Sequence, residues 1–109
     1  MAKRLDRPYF GTNTKMFKTA AETEAFLSRL AELTGDLKDE ITLFTIPSYT
    51  SITAAVSASA GSGIMVGAQS IGFEERGQYT GEISPLMLKE AGAFGNLPDT
   101  SQVNLFDGF

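Results

Sequence analysis

Along this chain, short continuous hydrophobic runs alternate with stretches in which apolar residues recur at the spacing of a helix. The run Ile-Thr-Leu-Phe-Thr-Ile at 41–46 is β-branched and aromatic and is followed by Pro47, which predicts a buried strand. Residues 8–13 predict a strand before it, and residues 64–69 predict another after it. The sequence therefore predicts three strands separated by other structure.

A helix is predicted between the first two strands. Thr19 and Glu22 fit a capping box, in which a hydroxyl and a carboxylate three residues on satisfy the first backbone amides. Gly35 is expected to end this helix in the left-handed conformation. The apolar residues of the helix recur at spacings of three and four and predict one apolar face: Phe26, Leu27, Leu30, Ala31 and Leu33.

Two shorter helices follow the second and third strands. Residues 51–60 predict a small helix that ends at the Gly-Ser-Gly of 61–63. Ser84 and Pro85 form a typical helix start, and Gly92 is placed to stop that helix. The order strand–helix, three times over, predicts an α/β fold of parallel βαβ units with right-handed crossovers.

Two segments carry neither pattern. Residues 70–83 predict a long polar loop, and loops of this length between short elements are usually functional or mobile. Residues 93–109 predict an irregular tail. We therefore divide the chain into an α/β domain, 1–92, and a tail, 93–109.

Composition narrows the possible chemistry. The 109 residues include no cysteine and no histidine, which removes disulfides, thiolate metal sites and the commonest acid–base group. The formal net charge of −4 argues against nucleic acid or an anionic membrane as partner. Apolar runs are too short to span a bilayer. We predict a cytoplasmic protein with no cofactor and no metal.

Three stretches, in order, resemble the triosephosphate isomerase family. Residues 11–16, Gly-Thr-Asn-Thr-Lys-Met, are similar to its Asn-x-Lys-Met signature. Residues 67–69 are Gly-Ala-Gln, and residues 79–85, Tyr-Thr-Gly-Glu-Ile-Ser-Pro, are similar to its Thr-Gly-Glu-[Val/Ile]-Ser loop and helix start. The resemblance covers roughly residues 8–92.

This resemblance implies a fold. The family forms a (β/α)₈ barrel of about 250 residues, so the chain is expected to supply the first three βα units of an incomplete barrel. After Gly92 the family would continue into a fourth strand ending in Gly-His-Ser-Glu-Arg, which carries its catalytic histidine, and this motif is not found here. The family's catalytic glutamate lies further on still. We therefore expect a truncated, frameshifted or mis-assembled reading frame, and an inactive fragment.

The resemblance also implies a function. The family isomerises dihydroxyacetone phosphate to glyceraldehyde 3-phosphate in glycolysis and gluconeogenesis, so it is an intramolecular oxidoreductase acting on small sugar phosphates as a homodimer. Thr14 stands where the common family pattern has tryptophan. Some isomerases of the same superfamily, which act on four-carbon ketose phosphates, also diverge from the pattern at this position. The choice between triose and tetrose phosphate is left open.

Two residues after the first strand are implied to bind substrate. Lys15 resembles the lysine that attracts the phosphate and the developing enediolate, and it is the one catalytic group the resemblance assigns here. Asn13 resembles the residue that hydrogen-bonds substrate and helps place the lysine. Without the family, a solvated turn lysine and a turn asparagine are the alternatives.

The long loop is implied to reach a partner subunit. The residues assigned to this dimer interface are Phe73, Tyr79, Thr80, Gly81 and Glu82, with the two aromatic rings supplying apolar contact. The alternative is an exposed surface loop in which glycines allow turns.

A second function, from a different class, is a non-catalytic α/β module that binds a phosphorylated ligand or a partner chain. A product with no selected function, whose open sheet edge favours association, is a third possibility.

Other polar groups do not suggest a catalytic site. Glu74 and Glu75 are adjacent in a loop and are expected to be a solvated charge pair. Ser48 and Ser84 have no histidine to activate them, which excludes a nucleophile triad.

Overall fold

The computed structural model describes residues 8–93, which form three βα units in sequence. The strands, named β1 to β3 in chain order, are Tyr9–Asn13, Thr42–Ile46 and Met65–Val66. The helices, named α1 to α3, are Ala20–Thr34, Ile52–Ser59 and Pro85–Glu90. Short 3₁₀ turns occupy Gly35–Leu37 and Tyr49–Ser51. Apart from Ala93, the predicted tail lies outside the described residues.

The three strands form one parallel sheet in the order β1-β2-β3, which confirms the predicted α/β fold class. Asn13 at the end of β1 pairs with Ile46 at the end of β2, and Thr45 pairs with Val66 of β3. β3 is shorter than the predicted strand 64–69. The backbone nevertheless follows β2 one residue further, because the Gly67 amide donates to the Thr45 carbonyl at 2.9 Å.

Apolar side chains lie on both faces of the sheet. The main core lies between the sheet and the helices, and its fully or nearly buried members include Leu27, Ile52, Ala55, Val66, Ala68 and Leu88. A smaller cluster consists of Phe44, Ile46 and Met65, with Tyr9 packed against it. Gly11 of β1 lies beside this cluster, and a larger residue would not fit there because its Cβ would overlap the ring of Phe44. Both clusters fix the position of β2, the central strand.

The start of α1 confirms the predicted capping box. The Glu22 amide donates to Thr19 Oγ1 at 3.2 Å, and the Thr19 amide donates to Glu22 Oε1 at 2.9 Å. Leu27 is fully buried, but Leu33 at the far end is 59% exposed, so burial of the apolar face stops short of the last turn.

The end of α1 differs from the prediction. Gly35 has φ −56°, in the right-handed region, so the predicted left-handed ending is wrong. The chain tightens into the 3₁₀ turn instead. Thr34 Oγ1 donates back to the Leu30 carbonyl, four residues earlier, at 2.7 Å, as threonine side chains in helices commonly do.

The third helix begins and ends as predicted. Ser84 Oγ accepts a hydrogen bond from the Met87 amide at 3.3 Å, and Pro85 is the first helical residue. Gly92 has φ 102°, a left-handed conformation that favours glycine. No helix among residues 8–93 is both long and apolar enough to cross a membrane.

Candidate functional site

Parallel pairing brings three loop residues to the same level at the carboxyl edge of the sheet. The ends of β1 and β2 are paired, and the Gly67 amide continues the pairing beyond β3. Counting two residues past these paired positions leads to Lys15, Ser48 and Gln69. Together with Asn13, these three residues are called the strand-end cluster.

Lys15 has an unusual backbone conformation. Its φ is +55°, the one positive φ at a residue other than glycine between residues 8 and 93. A side chain in this region is strained by about 1–3 kcal/mol, and such strain persists only where surrounding bonds enforce it. The turn is closed by the Phe17 amide, which donates to the Thr14 carbonyl at 3.2 Å.

The strand-end cluster supplies bonds that enforce this conformation. Asn13 Oδ1 accepts from the Lys15 amide at 2.8 Å. Ser48 Oγ and Gln69 Nε2 both donate to the Lys15 carbonyl, at 3.0 and 2.7 Å. Each such bond contributes roughly 0.5–1.5 kcal/mol, so the three together offset a strain of that size. All three βα units therefore hold one peptide segment.

The arrangement leaves a cation exposed at the edge of the sheet. Lys15 is exposed, and it follows the carboxyl end of its strand, where parallel α/β barrels place their ligand sites. The oxygen of Asn13 is bonded to the Lys15 amide, so its amide NH₂ is the part that can contact a ligand. A lysine and an amide donor at one edge can attract a phosphate or a developing enediolate.

The loop 70–83 is fixed at its base. The Gly72 amide donates to the Ile83 carbonyl at 2.7 Å, which brings the two ends of the loop together. Tyr49 Oη donates to the Ser70 carbonyl at 2.8 Å, and Ser84 Oγ donates to the Glu75 carbonyl at 2.7 Å. These bonds tie the loop to the start of α2 and the start of α3.

The predicted interface residues lie on the outer part of this loop, where all five are exposed. Phe73 is 80% exposed and Tyr79 is 48% exposed, and their ring centroids lie 5.3 Å apart. Gly81 has φ 87°, which allows the sharp turn beside Thr80. Between residues 8 and 93, no hydrogen bond joins these residues to the strand-end cluster. They form a separate surface.

Two members of the strand-end cluster, Ser48 and Gln69, were not predicted from the sequence. Ser48 was considered only as a nucleophile without a histidine, and Gln69 only as part of a Gly-Ala-Gln motif. Neither residue type signals a role by itself. Counting two residues past the ends of the first two predicted strands leads to Lys15 and Ser48, because parallel strands end at one edge of the sheet. The third predicted strand, 64–69, runs to Gln69 itself, so the register of the shorter β3 is needed to place Gln69 beside them.

The described part of the chain holds no group of three or more carboxylate, histidine or cysteine side chains arranged for a metal ion. Glu74 and Glu75 are both exposed in the loop, in agreement with a solvated charge pair.

Comparison with known proteins places this geometry in one family. Residues 8–97 match the family model described as triosephosphate isomerase. The chain is 42% identical over 86 residues to the triosephosphate isomerase of Caldanaerobacter subterraneus subsp. tengcongensis, covering 79% of this chain and 34% of that protein. It is also 42% identical over 82 residues to the L-erythrulose-1-phosphate isomerase of Rhizobium etli, covering 75% of this chain and 31% of that protein.

A solved structure agrees with the sequence comparisons. The triosephosphate isomerase of Bartonella henselae matches with a TM-score of 0.67 and 33% identity, covering 80% of this chain and 35% of that one. The predicted fold, part of a (β/α)₈ barrel, is confirmed by this match. The chain spans about a third of the length of the curated relatives it matches.

Proposed function

The chain belongs to the triosephosphate isomerase family, and we propose that it carries the substrate-binding lysine of an aldose–ketose isomerase acting on small sugar phosphates. The observation that carries this proposal is the position of Lys15. It is an exposed cation at the carboxyl edge of a parallel sheet, held in a strained turn by bonds from all three βα units.

The substrate class follows from the chemistry and from the relatives. One matched relative is named for a triose phosphate and another for erythrulose 1-phosphate, with 42% identity in each case. We therefore propose phosphorylated ketoses of three or four carbons. Lys15 attracts the phosphate and stabilises negative charge on the enediolate oxygen, and the NH₂ of Asn13 donates a hydrogen bond to the same ligand. Glycolysis or gluconeogenesis and a cytoplasmic location belong to this proposal.

Turnover needs a base and an electrophile in addition to the cation. The 109 residues contain no histidine, so an imidazole electrophile cannot come from them. We therefore expect the chain alone to bind the ligand without isomerising it. The division into a domain of residues 1–92 and a tail of residues 93–109 also stays a prediction, although the family match extends to residue 97.

The loop 70–83 is proposed to contact a second copy of the chain. Support comes from the exposed, mutually packed rings of Phe73 and Tyr79 on a loop whose ends are tied together and whose Glu75 carbonyl is bonded to Ser84. Exposed aromatic side chains are enriched at protein interfaces. Sedimentation velocity of the chain and of Phe73→Ala tests this: the chain should self-associate, and the variant should associate less. Equal association of the two would contradict the assignment.

The proposed function is tested by ligand binding and by turnover. Dihydroxyacetone phosphate is titrated into isotopically labelled protein, and the amide resonances near Lys15 report binding. We expect saturable shifts that Lys15→Ala abolishes. Lys89→Ala is the matched control, because Lys89 is exposed in the last turn of α3 and lies outside the strand-end cluster.

Two outcomes would contradict parts of this proposal. Equal binding by the chain and by Lys15→Ala would remove Lys15 from the site and favour a module with another role. Isomerase activity of the chain that disappears in Lys15→Ala would show that a carboxylate such as Glu82 or Glu74 acts as base. The chain would then be catalytically complete, against our expectation.

A further inference from the structure

We propose that Ser48 and Gln69 are positioning residues for Lys15, and this inference rests on the proposed function. Both side chains donate to the carbonyl of Lys15, Ser48 Oγ at 3.0 Å and Gln69 Nε2 at 2.7 Å. A carbonyl oxygen has two lone pairs, so the two donors together satisfy it. The donors are 33 and 54 residues away in sequence, so all three βα units meet at this carbonyl.

The two bonds act on the direction of the lysine side chain. The Lys15 amide is fixed from one side by Asn13, and the Lys15 carbonyl is fixed from the other side by the two donors. With both peptide planes fixed, φ stays at +55° and the Cα–Cβ bond points in one direction. If the carbonyl were released, the residue would relax towards negative φ, and the ammonium group would move away from its position at the edge of the sheet.

Packing of neighbouring side chains contributes little to holding this turn. Met16 is 93% exposed and Phe17 is 84% exposed, although both are large apolar residues. The turn therefore depends on hydrogen bonds. The Thr14 amide donates to the Ile46 carbonyl at the end of β2 at 3.2 Å, and the side-chain bonds to the Lys15 carbonyl add a second link to the β2 unit and the link to the β3 unit. This dependence separates Ser48 and Gln69 from residues that only close a local turn.

The test uses variants that remove or keep a donor. Ser48→Ala removes the hydroxyl, whereas Ser48→Thr keeps it. Gln69→Glu has nearly the same shape but, when ionised, cannot donate a hydrogen bond to the carbonyl. Ser57→Ala is the matched control, because Ser57 is exposed on α2 and lies outside the strand-end cluster.

Two measurements on the 109-residue chain are combined. The nuclear Overhauser effect between the amide and Hα protons of Lys15 is strong at positive φ and weak at negative φ, so it reports the backbone directly. The dissociation constant for dihydroxyacetone phosphate reports the side chain. We expect a weaker Overhauser effect and an affinity lower by about three- to tenfold in Ser48→Ala and in Gln69→Glu. Ser48→Thr and Ser57→Ala should match the unsubstituted chain in both measurements.

The outcomes separate this inference from the function it rests on. A strong Overhauser effect or an unchanged affinity in both donor-removing variants, with the fold intact by amide dispersion, would overturn the positioning role. If the unsubstituted chain and Lys15→Ala show equal affinity, the proposed function fails instead, and the Overhauser effect alone decides whether Ser48 and Gln69 hold the turn. If Ser48→Ala does not fold, Gln69→Glu supplies both measurements.

Discussion

The strand-end cluster and the loop 70–83 both follow strands of the same sheet, yet they are held in opposite ways. Lys15 is bonded to side chains from the ends of the other two strands, at sequence separations of 33 and 54 residues. The loop is bonded at its base, and its aromatic residues are exposed. Lys15, the proposed ligand-binding group, is thus held by bonds from distant segments, whereas the loop proposed to contact a partner is tied mainly to its own flanking residues, by the Gly72–Ile83 and Ser84–Glu75 bonds.

The largest expected difference between the two regions concerns stability. Ile46 ends β2 next to the strand-end cluster and is fully buried, whereas Phe73 is 80% exposed in the loop. Ile46→Ala should lower the free energy of unfolding by about 2–5 kcal/mol, because it removes buried methyl groups and leaves a cavity. Phe73→Ala should change it by less than about 0.5 kcal/mol. Urea unfolding followed by circular dichroism measures both.

Ile46→Val serves as the graded control for this pair, with an expected loss of about 0.5–1.5 kcal/mol. Equal losses from Ile46→Ala and Phe73→Ala would show that the loop is packed against the fold as tightly as the strand. The contrast between the two regions would then be wrong.

The sequence predicted the α/β class, the order of the three units and the capped helix starts. These features depend on local patterns: the β-branched run at 41–46, the Thr19–Glu22 capping box and the Ser84-Pro85 start. Each pattern acts within a few residues, so it can be identified without knowledge of tertiary contacts.

The errors and omissions depend on tertiary structure. Gly35 is compatible with both signs of φ, and only the 3₁₀ turn that follows decides between them. Leu33 fits the helical period, but its exposure depends on what packs against the end of α1. Gln69 gains its role from a partner 54 residues away. Local patterns do not contain these facts.

An intermediate effect is expected where the loop meets α3. Ser84 Oγ accepts from the Met87 amide at 3.3 Å and donates to the Glu75 carbonyl at 2.7 Å, so one hydroxyl caps the helix and fixes the loop. Ser84→Ala should lower the free energy of unfolding by about 1 kcal/mol, as for other lost helix caps. Hydrogen exchange of amides in the loop should accelerate, while that of the Lys15 amide should not.

Ser84→Thr, which keeps the hydroxyl, is the control for Ser84→Ala. If exchange accelerated equally at the loop and at Lys15, the two regions would open together. The loop and the Lys15 turn would then not differ in how readily they open, and the proposed contrast between them would be wrong.

The smallest expected effect is a dependence on pH at the capping box of α1, whose N-cap Thr19 is four residues after Lys15. The pKa of Glu22 is lowered from its usual 4.5, first by the hydrogen bond from the Thr19 amide and then by the Thr19 side chain. A carboxyl group with a lowered pKa stabilises the fold above its unfolded pKa, and this stabilisation is lost as pH falls through the folded value. The relevant window therefore begins near pH 4.5 and extends below it.

Urea midpoints at pH 7 and pH 3 for the chain and for Glu22→Gln measure this contribution. The chain should lose more stability between the two pH values than Glu22→Gln does, because the variant has no carboxylate to protonate. Glu24→Gln is the control, because Glu24 is two residues further along α1 and outside the capping box. This variant should lose as much stability as the chain does. Equal losses in the chain and in Glu22→Gln would mean that the carboxylate of the capping box adds nothing to stability at the start of α1.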